Sequence, residues 1–282
     1  MALCVAKDEA TALKAMPLIK VEYEVQKPVL DLRTAMDHET VVHPEDDILN
    51  HIPVGQDYKR NICVSYHKRV GDIEGELAKC DYVVEGTYFD QATRQSAMEP
   101  FQSFGYIDHL GRIVIVSSTQ IVFHVRRHIA RALGIPASKI RVIKPRIGGG
   151  FGSKQTACTE LMTAFVTWKL QKPCYLLYDR TEAQTCSTTR HAREWYIRVG
   201  ATKDGIIQVI DMDSITDAGA LATHCFTTTT AGEHKSVPLF NKAKAVHYGT
   251  AGAYMNHPSG GACRGYAATA VLWPLDCEFT RL

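Results

Sequence analysis

Apolar and polar residues alternate along several short stretches of the chain, which is the pattern of a strand that buries one face. The turn sequence HLG at residues 109–111 separates two of these stretches, and KDG at 203–205 is a strong hairpin signal. The alternation predicts strands at residues 19–25, 82–88, 103–108, 112–117, 140–143, 174–178, 193–201 and 206–214. The opening residues 1–6 (MALCVA) are also expected to be the inside of a strand that continues an upstream segment.

Helical spacing is clearest between residues 121 and 133. The apolar residues there fall at i, i+3, i+7, i+10 and i+11, and they are Val122, Val125, Ile129, Ala132 and Leu133. Gly134 and Pro136 are expected to end this helix. Three more helices are predicted at residues 8–16, 161–168 and 267–275, the last despite Pro274.

Strands and helices are interspersed without a strict strand–helix–strand rhythm, which favours an α+β fold with mixed sheets and packed helices. Residues 31–60 are polar and acidic, and Pro44 and Pro53 interrupt them, so this stretch is predicted to be a long surface connection.

Composition narrows the function classes. Hydrophobic residues make up 45% of the chain, charged residues 22%, and the formal net charge is +2, so neither a nucleic-acid partner nor a membrane surface is expected. The nine cysteines are spread without a C-x-x-C pair, which argues against a disulfide framework, a zinc ribbon or an iron–sulfur site. We therefore expect free thiols, a cytoplasmic location and no membrane span.

The most unusual segment is residues 147–155 (IGGGFGSKQ). Glycines permit positive φ and let a ligand approach the backbone N–H groups, which suits phosphate or metal-bound oxygens. Neither the P-loop nor the dinucleotide fingerprint fits, because Ser153 precedes Lys154 and occupies the position of the third glycine. The alternative is a glycine-rich turn that joins a strand to a helix.

Three other segments have polar residues at candidate positions. Ser118 and Thr119 precede the helix at 121–133, where they either face a pocket or serve as its N-cap, the simpler interpretation. Arg264 lies between small residues in 258–266 (PSGGACRGY), either to bind an anion or in a surface turn. Residues 98–100 (MEP) mean little alone, and no spacing diagnostic of a serine triad, zincin or glycosidase is present.

Read in order, these segments resemble the molybdenum-binding large subunit of the xanthine dehydrogenase/aldehyde oxidase family. The shared segments, which span the whole chain, are QSAMEP at 95–100, STQ at 118–120, IGGGFGSK at 147–154, DRTE at 179–182, RH at 190–191, DG at 204–205, DAGA at 217–220 and RGY at 264–266. The resemblance implies that residues 1–28 are the tail of a hammerhead-like α/β domain and residues 29–282 the first molybdenum-cofactor-binding domain, with the C-terminal half of the subunit absent.

The resemblance also implies site residues. Gln120 matches a catalytic glutamine that hydrogen-bonds an oxo ligand of molybdenum. Gly149, Gly150, Phe151 and Gly152 match the loop that approaches the molybdenum ligands. Arg264 matches an arginine that lines the metal centre, and Gln155 and Tyr266 match substrate contacts. No residue is expected to bind the metal directly, because molybdenum is held through the pterin dithiolene.

The family's chemistry is hydroxylation of an N-heteroaromatic (purine-like) ring or an aldehyde, with water as the oxygen source. The implied cofactor is molybdenum–molybdopterin, either in its simple form or as the cytosine dinucleotide. The implied partners are a C-terminal molybdenum-binding polypeptide, which would carry the general-base glutamate, an iron–sulfur subunit and an FAD subunit. The alternative is a catalytically inert truncated or scaffolding fragment of such a complex.

Two positions depart from the purine-oxidising members of the family. Those members have glutamate where this chain has Gln155, and arginine near the position of Gly232. Both departures weaken the expectation that xanthine is the substrate.

Overall fold

A computed structural model describes residues 2–46 and 54–282. The strands are β1 (Ile62–Val70), β2 (Tyr82–Asp90), β3 (Gln102–Ile107), β4 (Ile113–Ser117), β5 (Ile140–Ile143), β6 (Cys174–Leu177), β7 (Arg193–Ala201), β8 (Ile207–Gly219) and β9 (Ala245–Tyr254). The helices are α1 (Glu9–Ala15), α2 (Ile73–Leu77), α3 (Val122–Leu133), α4 (Glu160–Leu170), α5 (Arg180–Thr185), α6 (Cys225–Ser236) and α7 (Ala268–Arg281).

The larger sheet has five strands in the order β1-β9-β8-β7-β2. All neighbours in it are antiparallel except β8 and β9, which are parallel and are joined by a crossover that contains α6. Helix α7 packs on β7 and β2, and its Val271 and Leu275 share a fully buried cluster with Trp195, Met212 and Tyr248 of the sheet.

The smaller sheet has four strands in the order β5-β4-β3-β6. Strands β4 and β5 are parallel because α3 connects them, and the other pairs are antiparallel. Val125 and Ile129 of α3 pack against Ile113 and Ile115 of β4. The carboxyl ends of two neighbouring strands therefore meet at one edge of this sheet, which is where polar loops in such sheets gather.

These mixed sheets with packed helices confirm the α+β prediction. The hairpin β7–β8 turns at residues 202–206, as the KDG signal predicts, and Gly205 has φ +76°. Helix α3 ends at Gly134 in the left-handed conformation (φ +65°). The predicted helix at 267–275 runs on through Pro274 to Arg281. No helix in the described ranges is both long and apolar enough to cross a membrane.

Two predicted strands are wrong. Neither 19–25 nor, among the described residues, 2–6 pairs with another strand. Tyr23 and Val25 are 79% and 89% exposed, so the apolar side of the alternating segment 19–25 is not buried against a sheet. An alternating segment becomes a strand only when a neighbour supplies backbone hydrogen bonds.

The described part of the predicted surface connection, residues 31–46 and 54–60, has no strand and a single short 3₁₀ turn at Tyr58–Arg60. Its Asp47 and Pro53 lie outside the described residues. Ala35 is fully buried in a cluster with Ala253 and Met255. The Asn61 amide donates to the Ala35 carbonyl at 3.1 Å and holds the segment in this position. The segment is thus fastened to the β1 edge of the large sheet rather than only wrapping the surface.

Candidate functional site

Gln120 and the glycine loop (residues 148–152) lie together because each follows one of two parallel neighbouring strands, β4 and β5. The Gln120 backbone N–H donates to the Lys154 carbonyl at 2.9 Å. Its side-chain Oε1 accepts the N–H of Gly152 at 3.1 Å. Two hydrogen bonds therefore set the Gln120 side chain against the loop.

The glycine loop needs its glycines at two particular positions. A Cβ on Gly150 would lie 2.5 Å from Oε1 of Gln120, so the bare backbone makes room for that amide. Gly152 has φ +101°, and a Cβ there would lie 2.4 Å from the Ala262 carbonyl oxygen. Phe151 also adopts a positive φ, 50°, and its ring is 48% exposed. Strain in a non-glycine residue is typical of loops shaped for a ligand.

Glu99 anchors the start of this loop. Its Oε2 accepts the Gly148 N–H at 2.6 Å and a hydrogen bond from Lys154 Nζ at 2.9 Å, and its Oε1 accepts from the Gln102 amide at 2.7 Å. Burial alone would raise the pKa of the Glu99 carboxyl, but the hydrogen bonds from Lys154, Gly148 and Gln102 together lower it. The buried Lys154 therefore has a structural partner and is not aimed at a ligand.

Four hydrogen-bond donors remain available at the loop. The backbone N–H groups of residues 149, 150 and 151 and the Gln120 Nε2 have no partner among the described residues. Gly150 is itself a buried residue, so its unpaired N–H costs free energy unless a ligand accepts from it. This donor set suits an oxo group or an anion, and it includes no thiolate, imidazole or carboxylate to bind a metal ion directly.

A second loop, residues 260–266, is tied to the first. The Arg264 N–H donates to the Phe151 carbonyl at 3.0 Å, and the Gln95 amide donates to the Ala262 carbonyl at 2.7 Å. Arg190 holds the Arg264 carbonyl through its guanidinium at 2.7 Å. The Arg264 side chain is exposed and has no ion pair within the described ranges, so its guanidinium is free to meet an anion.

Tyr266 and Gln155 are bridged by His224. The His224 Nε2 lies 3.2 Å from the Gln155 carbonyl oxygen, and its Nδ1 lies 2.9 Å from the Tyr266 hydroxyl. Because a carbonyl only accepts, the proton of the neutral ring belongs on Nε2, and Nδ1 accepts from Tyr266. Burial raises the pKa of Tyr266, which keeps its hydroxyl protonated near neutral pH.

The structure thus brings together Gln120, the glycine loop and Arg264, and joins Gln155 to Tyr266 through a histidine. The predicted N-cap at Ser118 or Thr119 is wrong, because Ile121 is the cap residue of α3 and no side chain caps it. Thr119 instead accepts the Ile121 N–H at 3.1 Å, ahead of the helix. The Ser118 hydroxyl is buried beside Gln120 with no described partner.

Sequence reasoning missed His224 and the Glu99–Lys154 pair. His224 starts α6 in the left-handed conformation and no spacing pattern marks it. Glu99 was noted only within the tripeptide 98–100, because its partner lies 55 residues away. Gly232, the second departure from purine-oxidising proteins, lies within α6, where a Cβ would meet the Tyr248 hydroxyl at 2.5 Å.

Comparison with known proteins identifies one family. The family model described as "Molybdopterin cofactor-binding domain" matches residues 54–281. The probable hypoxanthine oxidase of Escherichia coli (strain K12) is 34% identical over 95% of this chain and 30% of its own length. The nicotinate dehydrogenase large molybdopterin subunit of Eubacterium barkeri is 29% identical over 94% of this chain and 59% of its own length.

Solved structures share the fold. The aldehyde oxidoreductase from Desulfovibrio desulfuricans superimposes with a TM-score of 0.83 and 23% identity, over 98% of this chain and 30% of that one. CO dehydrogenase from Oligotropha carboxidovorans gives 0.80 and 24%, over 98% of this chain and 35% of that one. The chain spans about a third of the length of the E. coli relatives that it matches.

Proposed function

The chain belongs to the molybdopterin cofactor-binding domain family, and from that premise we propose that it is the first cofactor-binding part of a molybdenum hydroxylase. The observation that carries the proposal is the Gln120 amide held on the bare backbone of Gly150, beside three unpaired backbone N–H groups. The relatives include a probable hypoxanthine oxidase and a nicotinate dehydrogenase subunit, which supports the same class of activity.

In this proposal the donors at the glycine loop hold the molybdenum–molybdopterin cofactor. Gln120 Oε1 accepts the Gly152 N–H, which leaves the Nε2 of the amide free, and it would donate to an oxo group of the bound cofactor. A neutral amide orients such a group without adding charge, and the backbone of residues 149–152 adds donors at close range. The Arg264 guanidinium is exposed nearby and would balance anionic parts of the cofactor.

The cofactor, when bound, supplies the two-electron oxidation of the substrate, with water as the oxygen source. The chain's own residues then position the substrate. Tyr266 offers an aromatic ring for stacking and a hydroxyl held by His224, and Gln155 offers an amide for hydrogen bonding to a ring nitrogen or oxygen. An N-heteroaromatic substrate always offers a ring for stacking as well as a hydrogen-bonding ring atom, whereas an aldehyde without a ring offers only its carbonyl oxygen, so we favour the heteroaromatic class.

The activity is proposed for an assembly rather than for this chain alone. In the E. coli relatives about two thirds of the length lies outside the matched region, and we propose that a C-terminal molybdenum-binding polypeptide supplies the equivalent part here, including a general-base glutamate. Iron–sulfur and FAD subunits would take the electrons, because the nine cysteines are dispersed free thiols. Those thiols also fit a reducing, cytoplasmic location.

The proposed domain division falls at residues 28 and 29. Residues 2–28 contain no buried side chain, and Val29 is the first residue that is fully buried, against Ala253 and Met255. This change in packing supports assigning residues 1–28 to a preceding hammerhead-like domain and residues 29–282 to the cofactor-binding domain.

The test is the metal content of the complex that this chain draws from its natural host. Molybdenum near one atom per chain, with iron present, is the expected result. A variant in which Gln120 and Arg264 are both replaced by alanine tests the site directly. Its molybdenum content should fall while its iron content stays constant. Recovery of the chain alone, with neither metal and no partner subunits, would overturn the proposal and leave the inert-fragment alternative.

A further inference from the structure

Two histidines and an aspartate meet on the face of the large sheet that carries α2, away from the glycine loop. His67 lies on β1, His247 on β9 and Asp213 on β8, three adjacent strands. One ligand atom from each lies within 4.8 Å of the others. His67 pairs with Gly249 across the β1–β9 ladder, and His247 is two residues before that glycine.

Gly249 makes this meeting possible. A Cβ at that position would lie 1.8 Å from Oδ1 of Asp213 and 2.8 Å from Nδ1 of His67. The side chains of His67 and Asp213, from the strands on either side of β9, therefore converge over Gly249, which has no side chain of its own.

The two ring nitrogens have the separation that a shared metal ion requires. Nδ1 of His67 and Nε2 of His247 are 3.4 Å apart. Two nitrogens bound at about 2.0–2.1 Å to a tetrahedral zinc ion lie about 3.3–3.4 Å from each other. A direct hydrogen bond between the rings is the competing explanation. The rings lie within 4° of parallel with their centroids 5.7 Å apart, so the two nitrogens face each other, and an ion binds only after the exposed His67 ring turns toward Asp213.

The buried histidine is prepared as a ligand by the group behind it. His247 Nδ1 is 2.7 Å from Oδ1 of Asp211, and Oδ2 of Asp211 accepts from Arg198 at 2.7 Å. The Nδ1 proton of His247 is thereby fixed, and its Nε2 lone pair points toward His67. A carboxylate behind a histidine is the usual arrangement at zinc sites.

The local charge also favours a cation. Arg198 pairs with both Glu74 and Asp211, whereas Asp213 has no lysine or arginine partner among the described residues and so keeps its negative charge for a cation. We propose that His67 Nδ1, His247 Nε2 and the Asp213 carboxylate bind one Zn²⁺ ion, with water in the fourth position. The ion fastens β1, β9 and β8 to one another, and this site is independent of the proposed molybdenum chemistry.

Zinc titration of the untagged, chelator-treated 282-residue chain tests the proposal. We expect saturable binding of one Zn²⁺ by calorimetry and a higher melting temperature at saturation. With Co²⁺ we expect the intense visible absorption of a tetrahedral ion and no thiolate-to-metal band, which separates this site from the nine cysteines.

Variants assign the ligands. Because His67 and Asp213 are both exposed, His67→Ala and Asp213→Ala should fold normally and lose the saturable binding. Asp211→Asn, which removes the charge behind His247 and also weakens the ion pair with Arg198, should weaken binding about 10- to 100-fold. His109→Ala, an exposed histidine in the β3–β4 turn, is the control and should bind like the parent chain. No binding by the parent chain, or equal binding by all four variants, would overturn the site.

Discussion

Lys154 Nζ donates a hydrogen bond to Oε2 of Glu99 at 2.9 Å, and the same oxygen accepts the Gly148 N–H at 2.6 Å. The Lys154 side chain is only 1% exposed, so Glu99 is both its counter-ion and the anchor of the glycine loop. The stability of the glycine loop is therefore coupled to one buried ion pair.

We expect Glu99→Ala to lower the free energy of unfolding by about 3 kcal/mol, because it leaves the Lys154 ammonium buried without a counter-ion. Chemical denaturation measures the change. Glu39→Ala, which removes one partner of the exposed Lys27–Glu39 pair, is the matched control and should leave the denaturation midpoint unchanged. Equal midpoints for both variants would contradict the anchoring role.

The same pair predicts a pH dependence. The folded-state pKa of Glu99 lies below its usual value of 4.5, so its contribution is present above pH 4.5 and is lost as pH falls through the lowered value. The stability difference between the parent chain and Glu99→Gln should therefore shrink as the pH is lowered below 4.5.

Gly150→Ala should reproduce the effect of Gln120→Ala. The added Cβ would lie 2.5 Å from Oε1 of Gln120 and would push that flexible side chain off the Gly152 N–H. Each single variant should lower turnover of the assembled complex about 100-fold, the usual cost of one positioned donor. The double variant should be no slower than either single variant, whereas additive losses would mean that the two residues act separately.

Gly152→Ala should be far more destabilising than Gly205→Ala. Both glycines have positive φ, +101° and +76°, but a Cβ on Gly205 meets nothing within 4 Å, whereas on Gly152 it meets the Ala262 backbone at 2.4 Å. We expect about 1–2 kcal/mol for Gly205→Ala, from backbone strain alone. For Gly152→Ala we expect at least about 3 kcal/mol, measured by denaturant unfolding. Similar losses of unfolding free energy for the two variants would show that the loop at residues 260–266 shifts at little cost to accommodate the added Cβ.

Gln155→Glu should shift the preference of the assembled enzyme toward purines. A carboxylate accepts a charge-assisted hydrogen bond from a purine N–H that an amide accepts only weakly, so the purine to non-purine rate ratio should rise about tenfold. Competition assays with paired substrates measure this ratio. An unchanged ratio would mean that the Gln155 side chain does not contact the substrate.

Tyr266→Phe should keep the aromatic ring but lose the hydroxyl contacts with His224 and Thr227. We expect a loss of about 1 kcal/mol in unfolding free energy. The Tyr106 hydroxyl has no hydrogen bond to any described residue, so Tyr106→Phe is the control and should be neutral. A shift in the His224 ring signals by NMR in Tyr266→Phe alone would identify the bond, and unchanged signals would contradict it.

Local patterns determined much of this protein from its sequence. The amphipathic stripe of α3, the KDG hairpin and the glycine run each lie within a few residues, so the chain alone reveals them. The order of motifs also indicated the family. These features depend on periodicity and φ preferences, which neighbouring residues decide.

Elements that depend on distant partners were missed or wrongly predicted. Strand β9 is buried on both faces and contains two glycines, so it shows neither alternation nor strong strand propensity. Helix α6 has four consecutive threonines and forms because it packs on β9 and α7, against its own propensity. The segment 19–25 has perfect alternation and no partner strand among the described residues.

The site divides in the same way. Its glycines and Gln120 could be identified from sequence, but only the tertiary structure paired Glu99 with Lys154, linked His224 to Tyr266, and gathered His67, Asp213 and His247 over Gly249. The members of each group lie on separate strands or loops. Residue type and local spacing do not specify which strands become neighbours. Which strands become neighbours depends on how both sheets are buried against their helices, and residues from the whole chain contribute to that free energy.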